Sequence, residues 1–147
     1  MLHFEGERDF PKPPDQVWTR LSDARFLAEC VPEAKVVGEP TQTTAVCTLR
    51  PGLAFVRGTL EVTLRVIEAT SPASVRLSLF SKAIGASSEV EATLALTASD
   101  AGTHVHWTAD VKTLGGLLKL VPNGLIKGAA QRVINDVWAQ VDARLAG

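Results

Sequence analysis

At 147 residues and 15.7 kDa the chain has room for one domain, long enough to bury roughly two thirds of the surface its unfolded form exposes. Its 15 basic and 16 acidic residues leave a formal charge of -1 without blocks of either sign, which gives no support to a nucleic-acid groove or a polybasic membrane patch. Cys30 and Cys47 lack metal-type spacing, no charged-then-apolar leader opens the chain, and no apolar run reaches the roughly 18 residues that cross a bilayer, so a cytoplasmic protein with reduced thiols is expected.

Residues 2–10 alternate in the manner of a strand, with Leu2 and Phe4 against His3 and Glu5, and the Pro11-Lys12-Pro13-Pro14 cluster ends it. A short helix follows, with Asp15 at its start, Val17, Trp18 and Leu21 on its apolar edge, and an end near Ser22. A second short helix is expected over residues 25–30, closed by Pro32. From Lys35 the period changes to two. Turn signals at Glu39-Pro40-Thr41, Arg50-Pro51-Gly52, Ser71-Pro72, Gly85 and Asp100-Ala101-Gly102 divide this stretch into about six strands, spaced closely enough to be antiparallel neighbours.

One parity of those strands is apolar: Leu60, Val62, Leu64 and Val66, then Val75, Leu77 and Leu79, then Val90, Ala92, Leu94 and Leu96, then Val105, Trp107, Ala109 and Val111. The other parity is mostly polar and reads as a solvated outer face. The chain closes on a long amphipathic stretch, residues 114–145. Pro122 divides it into a helical turn or two over 117–121 and a main helix ending near Leu145. Ile126, Ala130, Val133, Ile134, Val137, Trp138 and Val141 form its apolar stripe. The sum is an α+β fold in which one curved antiparallel sheet of six to seven strands wraps around the long C-terminal helix, with two short helices after the first strand.

Residue chemistry points away from catalysis. His104 and His106 stand two apart on one strand and share parity with Asp110, the spacing of an imaginable metal or acid–base site, but Val105, Trp107 and Val111 claim the inner face and leave both imidazoles outside. Cys30 and Cys47 lie in apolar surroundings without a nearby histidine, the setting of structural thiols. Glu61, Glu89 and Glu91 fall on outward parity; Thr44, Thr48 and Ser81 fall where the register is ambiguous. Gly124-x-x-x-Gly128 is expected to bring the helix close to a strand or a ligand, and Gly115-Gly116 to form a flexible strand-to-helix joint.

Several strings resemble the family of the carbon monoxide dehydrogenase G subunit, within the helix-grip (SRPBCC) superfamily of START lipid-transfer domains, pollen-allergen-like proteins and polyketide cyclases. They are Phe4-Glu5-Gly6, Val17-Trp18-x-x-Leu21-x-Asp23, Leu27-x-x-Cys30-Val31-Pro32, Gly102-Thr103 before Trp107, and Gly115-Gly116-Leu117. Where many relatives place glycine after the Cys-x-Pro element, this chain has Glu33, so a different path into the next strand is expected. Some relatives continue past the long helix into a membrane-associated tail, whereas this chain ends at Gly147, so stable membrane insertion is not expected.

The resemblance implies a cavity between sheet and helix, where parity alone leaves a solid core equally open. Its expected lining is Leu60, Val62, Leu64, Leu77, Leu79, Leu94, Leu96, Trp107 and Ala109 from the strands with Ile126, Ala130, Val133 and Val137 from the helix, and Arg57 and Lys82 fall near strand ends at its mouth. The expected function is non-enzymatic binding of a mostly apolar small molecule, a lipid or isoprenoid quinone by analogy with the family. No metal, cofactor or nucleic acid is expected, and the resemblance also raises a partner enzyme. The alternative is a cyclase- or hydrolase-type enzyme, which requires polar groups aimed inward.

Overall fold

The change of period at Lys35 is where the chain leaves two short helices and enters a sheet. In the computed structural model, which describes residues 2–50 and 58–146, the order is β1 (His3–Phe10), α1 (Pro14–Leu21), α2 (Ala24–Glu29), β2 (Lys35–Val37), β3 (Thr44–Leu49), β4 (Leu60–Thr70), β5 (Ser74–Ala83), β6 (Ala86–Ser99), β7 (Gly102–Gly116), a 3-10 turn (Leu117–Leu120) and α3 (Asn123–Ala146). Seven strands form one antiparallel sheet in the order β1-β7-β6-β5-β4-β3-β2. The strands from β2 to β7 are a simple meander. β1 extends it by pairing with β7, with Phe4 opposite Ala109 and Gly6 opposite Trp107. Register shifts between Val66 and Glu68 and between Glu89 and Val90 interrupt the ladders, and such bulges bend a sheet. The fold is the α+β helix grip that the pattern predicts.

Local chemistry explains the two short helices. Pro14 occupies the first helical position, where its missing N–H costs nothing, and Val17 and Leu21 are buried. Asp23 caps α2 by accepting a hydrogen bond from the Arg25 backbone N–H at 2.9 Å, and the Arg25 side chain returns to the same carboxylate. That side-chain bond, ahead of the others, holds the Asp23 carboxyl below its ordinary range. Beneath the helices Cys30 and Cys47 are fully buried and unpaired. Burial, aided by Glu29 and only partly opposed by Arg144 and Arg20, pushes the Cys30 thiol up to about 11, so it stays protonated and inert.

Three backbone expectations change. Glu33 adopts φ 60°, so the chain follows the path that glycine would take despite the Cβ. Gly115 and Gly116 are not a flexible joint: both pair with β6, and a Cβ at Gly116 would lie 2.1 Å from the Gly85 carbonyl oxygen. Gly124 and Gly128 do not mediate close packing, since a Cβ at either meets nothing within 4 Å. Pro122, by contrast, falls between the 3-10 turn and α3, where its ring ends one helix and starts the next.

Candidate ligand cavity

The long helix rests on the sheet at its two ends and stands away from it between them. Near its C-terminus Trp138, Val141 and Leu145 join the main core. The Trp138 ring lies 6.0 Å from Trp107 and 6.2 Å from Phe10, tilted against both. Arg8 sits over the Trp138 ring at 5.8 Å and donates a hydrogen bond to Asp142 at 2.9 Å, which ties β1 to the helix. Gly6 makes this arrangement possible. The Trp107 indole lies across it so closely that a Cβ would come within 2.8 Å of the ring, so only glycine leaves room. Near the helix N-terminus Ile126 packs with Ala86 and Leu118 in a separate small cluster. Between these supports α3 presents Ala129, Ala130, Val133 and Ile134, and an internal space of about 340 Å3 remains.

Among the described residues, burial changes along the lining. On β5 Val75 and Leu77 are buried while Leu79, Ser81 and Ala83 are half-buried; on β6 Leu94 is buried while Ala92, Val90 and Ser88 are half-buried. On both strands burial among the described residues falls toward the β5–β6 hairpin, where Ala86, packed with Leu118 and Ile126, is buried again. There the surface carries Ile84, 75% exposed, and Leu120, 80% exposed, with Leu117 and Leu125 beside them. Leu117 is held to the hairpin by its N–H, which donates to the Gly85 carbonyl at 2.8 Å.

Of the residues expected to line the space, Leu60, Val62, Leu64, Leu77, Leu79, Leu94, Trp107, Ala109, Ile126, Ala130, Val133 and Val137 do so. Leu96 does not. It is buried beyond the end of the cavity, where Phe10, Val105 and Val141 close the gap between sheet and helix. Val133 lines the space from its rim, 44% exposed, because α3 stands off the sheet there. Lys82 is exposed on outward parity, and Arg57 lies outside the described residues. The reading of residues alone missed Ala83, Ala86, Ser87 and Ser88 from the hairpin, Leu114 and Leu118 beyond it, and Leu21, Leu27 and Val31 from the helices. Ser81, ambiguous in sequence, faces inward, and the same alternation through Leu77 and Leu79 carries the signal for it. Thr44 and Thr48 do not line the space; the buried neighbours Ala45 and Cys47 take the inner parity of β3.

The outer face carries the charge. His104 Nδ1 lies 2.8 Å from Asp9 and its Nε2 3.2 Å from Glu7, His106 lies 3.4 Å from Glu5, and His3 meets Asp110. Arg76 bridges Glu68 and Glu91, and Lys112 also approaches Glu91. These are histidine–carboxylate and cation–carboxylate pairs on the solvent side. Among the described residues no group of three or more His, Cys, Asp or Glu is placed to hold a metal ion. Nor is any described helix long and apolar enough to cross a membrane.

With the geometry established, comparison places the chain among known proteins. The model of the CoxG family, described as the G subunit of carbon monoxide dehydrogenase, matches residues 6–146. No curated protein matches. A conserved protein from Geobacillus kaustophilus has a similar structure, with TM-score 0.84 at 20% identity over 99% of this chain and 95% of that one. Proteins from Mycobacterium smegmatis (TM-score 0.67, 14% identity, 99% and 91% covered) and Rhodobacter sphaeroides (0.66, 19%, 98% and 91%) share the fold.

Proposed function

The chain belongs to the CoxG family, that of the carbon monoxide dehydrogenase G subunit, and on that premise we propose that it is a non-enzymatic binding protein for a mostly apolar small molecule, of the lipid or isoprenoid-quinone kind. The observation that carries the reading is the cavity, whose described lining is almost wholly aliphatic and aromatic. Its size falls within the range of small-molecule sites. Covering a few hundred Å2 of apolar ligand at ~25 cal/mol per Å2 contributes several kcal/mol before association costs, which supports micromolar binding without a charged anchor. The described lining includes no His, Cys, Asp or Glu, which favours holding a ligand over the cyclase or hydrolase alternative. The family takes its description from a component of a dehydrogenase, and we extend the proposal to a role as accessory to a redox enzyme.

The test is Ala130→Phe, read by melting temperature and by binding of the neutral fluorescent probe Nile red. A ring entering open space costs little, whereas overpacking a filled interior costs ~1 to 3 kcal/mol. The expected result is lost probe binding with the fold intact. A parent protein that binds no Nile red, with a variant that melts much lower, would show the interior to be full.

A further inference from the structure

Resting on that binding reading, we infer that the serines at the hairpin end of the cavity form a seat for the polar head of the ligand. The ligand is then an uncharged, elongated amphiphile with a hydroxyl or carbonyl at one end.

Ser81 and Ser88 are direct cross-strand partners on β5 and β6. Directly opposed side chains have Cβ atoms ~5 Å apart, close enough for two hydroxyls to engage one ligand oxygen together. Both serines line the cavity and both are half-buried. Neither takes part in a side-chain hydrogen bond among the described residues, in contrast to Thr103, whose hydroxyl donates to the Lys12 carbonyl at 2.6 Å. The other polar residues of the lining, Ser87 and Thr108, lie on outward parity, Ser87 opposite Lys82 and Thr108 between Trp107 and Ala109. On the inner parity of the described strands the lining is otherwise apolar, apart from the Trp107 indole N–H, which is buried without a partner. A hydroxyl withdrawn toward an apolar space without a partner is unfavourable, and each serine offers one donor and two acceptor lone pairs. A ligand hydroxyl or carbonyl satisfies them.

Charge sets the class further. A carboxylate or ammonium drawn into this space needs a counter-charge, and the described lining contains no charged residue. Length follows from the strand. From Ser88 to Leu94 is six residues, about 20 Å at the rise of an extended strand, so an apolar body of that length runs from the serines toward Trp107 and Trp138. The head is left at the hairpin end, toward the exposed Ile84 and Leu117.

The test displaces Nile red with three molecules of one chain length: dodecanol, its methyl ketone analogue and dodecanoate. Parent protein and the Ser81→Ala/Ser88→Ala double variant are compared, with melting temperature as a control for folding. The proposal expects the alcohol and ketone to displace the probe at about tenfold lower concentration than the carboxylate from the parent. In the variant both should weaken about five- to tenfold relative to the parent, the worth of one or two hydrogen bonds, once the displacement is corrected for the variant's own directly measured Nile red affinity, while the melting temperature stays unchanged. Equal displacement by dodecanoate overturns the uncharged class. Unchanged alcohol and ketone affinity in the double variant overturns the serine seat while the cavity reading stands. Absence of Nile red binding by the parent sinks both.

Discussion

The two ends of α3 are built from similar apolar residues and behave differently. At the C-terminal end Trp138, Val141 and Leu145 are buried against Phe10, Val105 and Trp107, and large rings fill the distance between helix and sheet. Toward the N-terminal end the lining side chains are Ala129, Ala130, the half-exposed Val133 and the partly buried Ile134, none of them aromatic, and a small cluster around Ile126 supports the helix there. The difference teaches that the cavity is made by side-chain size on one helix. Aromatic residues hold the helix off the sheet, and alanines leave the space so created unfilled.

The sharpest test of that contrast is a pair of truncations. Trp138→Ala removes a ring packed against two others and is expected to cost ~3 to 5 kcal/mol in a denaturant titration. Val133→Ala, at the rim of an already open space, is expected to cost less than ~0.5 kcal/mol. Equal costs would mean that the helix is packed evenly along its length. A smaller effect comes from the opposite wall of the closed end. Gly6→Ala forces a methyl group into the Trp107 indole, and overpacking of this kind costs ~1 to 3 kcal/mol. An unchanged melting temperature would show that Trp107 is free to move and that the closed end is looser than its burial implies.

The sheet face was legible because period-two alternation is simple to assign: Leu60 to Leu64, Leu77 to Leu79 and Trp107 to Ala109 fall where parity puts them. Pro122 announced the break before α3 for an equally local reason. Depth was not legible. Alternation states that Leu94 and Leu96 point inward but not that Trp107 stands opposite one and Val105 opposite the other, which is where the space ends. The serines were obscured in the same way, since Ser81 and Ser88 become partners only through pairing across the hairpin. Gly6 was visible as part of a family string, yet its reason, a tryptophan 101 positions later in the chain lying across it, exists only in three dimensions. Glu33 misled because a general preference for glycine at positive φ does not forbid a residue whose surroundings hold it there.

The smallest expected effect lies behind the closed end, on the outer face of the same strands. His104 accompanies Asp9 and Glu7, and its hydrogen bond to Asp9, followed by that to Glu7, raises its pKa above the ordinary 6.5. His3 is raised in the same sense, first by its bond to Asp110. A histidine whose folded pKa exceeds its unfolded value stabilises the protein fully below the unfolded value, and the contribution disappears as pH rises through the folded one. Stability is therefore expected to fall slightly as pH rises above about 6.5, and the His104 imidazole to titrate above 6.5 by NMR. His104→Ala should flatten part of that slope and His3→Ala another part, and salt should weaken both because the pairs are exposed. The Trp138 ring packs against Phe10 and Trp107 beneath the Arg8 guanidinium, with no histidine among these contacts, so the large cost of Trp138→Ala should be the same on either side of that pH. A loss with pH as large as that of the tryptophan truncation would mean that charge on the outer face, rather than ring packing on the inner one, closes that end of the cavity.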